Sequence, residues 1–153
     1  MSEPSERLPY VDEHSAVLDA GPEVAWEALL RVVEATVGAG SAPALARLLG
    51  CADTVASGPR PLAAGSTLPG FHVGAATAPT ELALAGSHRF SSYALIFRLE
   101  RLEGERTRVR AETRAEFPHL KGAVYRALVI GTRMHVLATR RILDGVKRSA
   151  ERR

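Results

Sequence analysis

The residues of this chain that could do chemistry are few and scattered. Five histidines stand at positions 14, 72, 88, 119 and 135. A zinc site on one helix needs two histidines at the spacing of HExxH, and neither that motif nor that spacing occurs. No metal is therefore expected. His135 falls on the apolar side of a long helical pattern. It reads either as a core histidine hydrogen-bonded to a carbonyl or as a polar group aimed into a cavity. Asp12 and His14 alternate with Ala16 and Leu18, so the four share one strand face and both polar groups turn inward. A one-residue slip would turn both outward, and the sequence leaves that orientation open. The run His88-Arg89-Phe90-Ser91 reads as a hairpin turn with a solvated Arg. It also reads as a pocket mouth, where Arg89 and His88 meet an acidic ligand group, since a guanidinium can grip a carboxylate bidentately. Tyr93 and Tyr125 could each donate a hydrogen bond to a carbonyl. Cys51 is the single cysteine. It admits no intramolecular disulfide and reads as a small packed residue rather than a catalytic thiol. No Ser-His-Asp order with a supporting motif and no Gly-rich phosphate loop occurs.

Positioning these groups falls to a set of strands and one long helix. Leu120, Val124, Leu128, Gly131, His135, Ala138, Ile142 and Val146 recur every three or four residues, which predicts a helix over Leu120–Val146 with one apolar face. Arg126, Arg133, Arg140 and Lys147 form a solvated stripe on another side. Val129, Val136 and Leu143 lie off the main face, so a second side is covered, by the short helices or by a partner chain. Strands are expected at Tyr10–Leu18, Phe71–Gly74, Glu81–Ser87, Tyr93–Leu102 and Arg106–Ala115, with a short one at Asp53–Ala56. In the last long strand Val109, Ala111, Thr113 and Ala115 face one way, and Arg108, Arg110, Glu112, Arg114 and Glu116 the other. That alternation describes a sheet with one dry and one wet face. Two short helices follow the first strand. The first starts at Pro22, which suits an opening helical turn; the second is Pro43–Leu49, stopped by Gly50.

The chain has 153 residues, enough for one domain with a real core. Residues 1–8 read as a disordered leader, 9–147 as the domain, and 148–153 as a basic tail. Aromatics make up only 5%, so a stacking platform for bases is not expected. The net charge of +3 comes with no nucleic-acid motif. The polar start is no signal peptide and no apolar run approaches the roughly 18 residues that span a bilayer. A cytoplasmic protein is expected.

The order of strand, two short helices, antiparallel strands and long helix resembles the helix-grip fold of the START/Bet v 1-like superfamily, also called SRPBCC or polyketide cyclase-like. The opening Ala16-Val17-Leu18-Asp19-Ala20-Gly21-Pro22-Glu23-Val24-Ala25-Trp26 is similar to that superfamily's first strand and helix start. The runs His88–Leu95, Phe117-Pro118-His119 and Tyr125–Thr132 look like those of a bacterial branch of it. The resemblance implies an α+β fold, a curved antiparallel sheet wrapped around the C-terminal helix. It also implies a cavity for a lipid- or polyketide-like molecule, in which some members catalyse cyclisation or dehydration. No universal catalytic residues exist to carry over, and no cofactor is implied.

The expected pocket lies between sheet and helix. The sheet offers Leu84, Tyr93, Leu95, Phe97, Ala111 and Thr113; the helix offers Leu128, Gly131 and His135; His88 and Arg89 stand at the mouth. Small residues facing one another, Ala111 and Thr113 against Gly131 and Ala138, leave either closely approaching backbones or a retained space. Three functions follow. The first is binding of a small apolar ligand. The second is a cyclase or dehydratase in which a His or Asp moves protons. The third is an interaction domain, a homodimer included, built on Val129, Val136 and Leu143.

Overall fold

A computed structural model of the chain describes residues 7–37, 42–89, 91–117, 123 and 134–152. Strand β1 (Tyr10–Leu18) leads into helices α1 (Pro22–Val37) and α2 (Ala42–Leu49). Strands β2 (Thr67–Leu68), β3 (Phe71–Thr77), β4 (Glu81–Ser87), β5 (Ser92–Leu102) and β6 (Arg106–Glu116) follow, then helix α3 (Met134–Glu151). The six strands form one antiparallel sheet in the order β1-β6-β5-β4-β3-β2. The last five make a meander, and β1 returns to pair with β6 at the edge. This is the α+β helix-grip arrangement that the order of elements predicts.

Helix α1 begins at Pro22, with the Ala25 amide closing the first turn on the Gly21 carbonyl at 2.9 Å. Proline lacks an amide hydrogen that would go unused there. The α1 residues Ala25, Leu29 and Val33 sit one helical turn apart and are wholly buried. They share one core with Leu82, Phe97 and Val109 of the sheet and with Ile142, Leu143 and Val146 of α3. Gly145 lets α1 and α3 come close, since a Cβ there would stand 3.0 Å from a Val32 methyl.

The structure alters several expectations. Asp53–Ala56 forms no strand, and the short strand falls at Thr67–Leu68, which pairs antiparallel with His72 and Phe71 of β3; Ser57 only bridges to Thr67, with backbone hydrogen bonds of 3.2 and 2.8 Å. The buried stripe of α3 runs through Thr139, Ile142, Leu143, Val146 and Ala150, while Ala138 is exposed. The helix is thus rotated about its axis, turning Leu143 into the core and Ala138 out. It also continues past Val146 to Glu151, so Arg148 stands on the helix and not on a frayed tail. Lys147 Nζ donates to the Val17 carbonyl at 3.1 Å, and Glu151 accepts from the Asp19 amide at 2.8 Å, clasping this end of α3 to β1. Of the first half of the predicted helix, Ala123 is described and helical; Leu120, Val124, Arg126, Leu128, Val129 and Gly131 lie outside the described residues.

The outer face of the sheet is not uniformly wet. Ala83, Ala94 and Ile96 are buried there, with Leu8 packed over them. Glu112, on the charged side of β6, is only 6% exposed and accepts hydrogen bonds from both Arg98 and Arg114. Arg114 also donates to the Leu8 carbonyl at 2.9 Å. Leu8, expected in the leader, is therefore part of the fold.

Candidate functional site

The register of the sheet sorts the concave face into cross-strand rows. One row runs Asp12–Thr113–Leu95–Leu84–Val73 from β1 to β3. The next runs His14–Ala111–Phe97–Leu82–Ala76. A third, beyond the Asp12 row, contains Ala115–Tyr93–Gly86. Side chains alternate across a strand, so these residues share one face. Six of the residues expected from the sheet thus do come together: Leu84, Tyr93, Leu95, Phe97, Ala111 and Thr113.

Their burial differs. Leu84, Phe97 and Ala111 have no accessible surface and belong to the packed core. Leu95, Thr113 and Tyr93 stay half-buried. The accessible part of the face therefore lies at the end where β1 starts and β6 finishes, and the filled part lies under α1 and α3. Of the small residues expected to face one another, Ala111 is buried in the core and Ala138 is turned outward, while Gly131 lies outside the described residues.

Asp12 and His14 turn inward at the accessible end. They are 27% and 20% exposed, and His14 Nε2 lies 3.2 Å from Asp12 Oδ2. Beside them stand Thr113 and Ala111 on β6, directly opposite in the ladder. A backbone irregularity between Tyr10 and Asp12 shifts the register at the strand's first residues without turning Asp12 outward. The orientation that the sequence leaves open is settled by this pairing. Two polar groups on a largely apolar face form one hydrogen-bonded unit able to accept or relay a proton.

Tyr93 behaves otherwise than expected. Its hydroxyl donates to the Gly70 carbonyl, and Cys51 Sγ lies 3.8 Å from that hydroxyl. The proton that was to serve a ligand carbonyl is used within the fold. Phe71 meets the Tyr93 ring edge-on with centroids 5.1 Å apart, and the His88 ring lies 5.5 Å away, tilted by 48°. His88 Nε2 is 3.3 Å from Ser91 Oγ. Burial pushes the His88 pKa below its ordinary value. Arg89 is exposed and lies against Gly50, at the end of α2, where an added Cβ would meet its Nε at 2.8 Å. His88 thus adjoins the Tyr93 row while Arg89 is laid over a helix end. Leu128, Gly131, His119 and Tyr125 lie outside the described residues, as does the side chain of His135.

Among the described residues no group of three or more His, Cys, Asp or Glu could hold a metal ion, and no helix is long and apolar enough to cross a membrane. A separate surface groove of about 520 Å³, between α1 and the loop at Arg60-Pro61, is lined by Leu30 and by Arg60 and Glu34, which form an ion pair at 2.8 Å. None of the residues expected from the sequence lines it.

No family model and no curated protein matches the chain. Solved structures do. A conserved protein of Geobacillus kaustophilus is 15% identical, covers 90% of this chain and 93% of its own, and superposes with a TM-score of 0.54. Protein Ms6760 of Mycobacterium smegmatis is 11% identical, with coverages of 91% and 95% and a TM-score of 0.55. Protein CV1439 of Chromobacterium violaceum is 13% identical, with coverages of 95% and 100% and a TM-score of 0.54. The likeness spans nearly the whole length of each chain, and at such identities it concerns the fold alone.

Proposed function

We propose that the chain is a binding module that holds a small hydrophobic ligand, lipid- or polyketide-like, on the accessible end of its concave face. The observation that carries this reading is the grading of that face. It is packed dry at Leu84, Phe97 and Ala111 and opens toward Leu95 and Thr113, where Asp12 and His14 stand. An apolar wall with a few placed polar groups is what small-molecule sites usually need. The START/Bet v 1-like resemblance supports the same reading. Tyr93 serves the reading as an apolar wall, and the contacts expected from the sequence at Leu128, Gly131 and His135 stay part of the proposal. Native mass spectrometry of protein purified from its own host tests it: a small molecule released on activation supports the reading, and bare protein under gentle conditions contradicts it.

A second reading has its own observation. The His14–Asp12 hydrogen bond is the arrangement by which a histidine is oriented as a proton acceptor, and it favours a cyclase- or dehydratase-like enzyme. The co-purified molecule, returned to fresh protein, would then lose a molecule of water. The interaction-domain reading is weakened, because Leu143, one of the three residues beneath it, is buried in the core.

A further inference from the structure

We infer that the ligand of this face carries a hydroxyl group of its own, phenol-like or enol-like, and that His14 accepts the hydrogen bond from it. The inference rests on the binding reading above and adds the chemistry of the ligand. A carboxylate has no proton to give, so the His14 Nε2 that faces Asp12 Oδ2 at 3.2 Å carries the ring proton. The lone pair of the neutral imidazole then sits on Nδ1, which has no partner among the described residues. A lone pair accepts and cannot donate. It therefore answers a hydroxyl and leaves a ketone or ester carbonyl unanswered. The ladder places Ala111 opposite His14, so the neighbouring strand brings almost no bulk against the ring. Thr113 stands opposite Asp12, with Cβ atoms at about 4.5–5.5 Å by ladder geometry. Asp12, by accepting from Nε2, holds the ring in the tautomer that leaves Nδ1 as the acceptor.

The test uses the full chain and two probes with the same ring system, naphthol and naphthalene. In the wild type, naphthol is expected to move the nitrogen NMR signal of His14 Nδ1, and naphthalene is expected to leave it in place. In His14→Leu, the affinity of naphthol relative to naphthalene should fall roughly tenfold or more, with naphthalene still bound. Asp12→Asn should lower the same ratio by a smaller factor. If both probes bind the wild type, the ratio is unchanged in both variants and the Nδ1 signal stays still, the hydroxyl inference falls and the pocket reading stands. If neither probe binds, both fall together. Should His14→Leu fail to fold, the wild-type nitrogen shift and Asp12→Asn decide the matter.

Discussion

The Tyr93 hydroxyl donates its hydrogen bond to the backbone carbonyl of Gly70, fastening β5 to the turn between β2 and β3. Opposite Tyr93 in the ladder is Gly86, and a Cβ there would stand 2.2 Å from the Gly70 carbonyl oxygen and 2.7 Å from the tyrosine ring. Gly86→Ala therefore forces backbone apart from backbone and should cost about 1–3 kcal/mol. Tyr93→Phe removes only the hydrogen bond and should cost about 0.5–1.5 kcal/mol. Because that hydroxyl proton is already committed, Tyr93→Phe should leave probe affinity unchanged. Thermal melts and probe titrations on the two variants check both statements.

Glu112 is a second place where a single substitution should register. Burial alone would raise its pKa, but hydrogen bonds from Arg98 and Arg114, together with their charges, outweigh it and hold the carboxyl below its ordinary 4.5. A depressed carboxyl contributes stability that is complete above the unfolded value. That contribution is lost as pH falls through the lower folded one. Glu112→Gln should destabilise at neutral pH by about 1–3 kcal/mol, since two arginines lose their acceptor but can still reach water. The gap between wild type and variant should close as pH drops below 4.5. Denaturant unfolding at several pH values measures it.

At His88 the linkage has a different source. Burial disfavours the charged ring and sets its pKa below the ordinary 6.5. As pH falls below 6.5 the unfolded chain takes up the proton first, so this residue draws stability down with falling pH until the folded value is passed. Proton NMR should find His88 titrating below 6.5, and His88→Gln should flatten that part of the stability profile.

Ala111→Phe has a defined outcome. Ala111 has no accessible surface, between His14 and Phe97 in its row. The larger ring should overpack the core and lower stability by about 1–3 kcal/mol. A variant that folds with undiminished stability would show unfilled space where packing is expected.

Much of the frame was legible in the residues, because strand and helix periods differ. The edges of β4 match the alternation of Leu82 and Leu84, and Pro22 marks the start of α1. The turn of α3 was not legible: Ala138 and Thr139 differ little in their fit to an apolar stripe, and only contact with α1 across Gly145 chooses between them. The inward pair was visible as alternation with Ala16 and Leu18, yet its orientation depended on the partner strand's register. The burial of Glu112 could not be read at all, since a charged residue on a charged face looks solvated until two arginines are seen to bond it. From sequence Tyr93 looks like a donor to a ligand, because its acceptor, Gly70, lies far off along the chain.

The central claim is that an apolar ligand sits at the accessible end of the concave face, and methyl NMR during titration with naphthalene addresses it most directly. The account predicts saturable shifts at Leu95 and Thr113, with Ala16 smaller, and no movement at the outer-face methyls of Ala83 and Ile96. Shifts confined to the groove at Leu30, or none at any concentration of the probe, would contradict it.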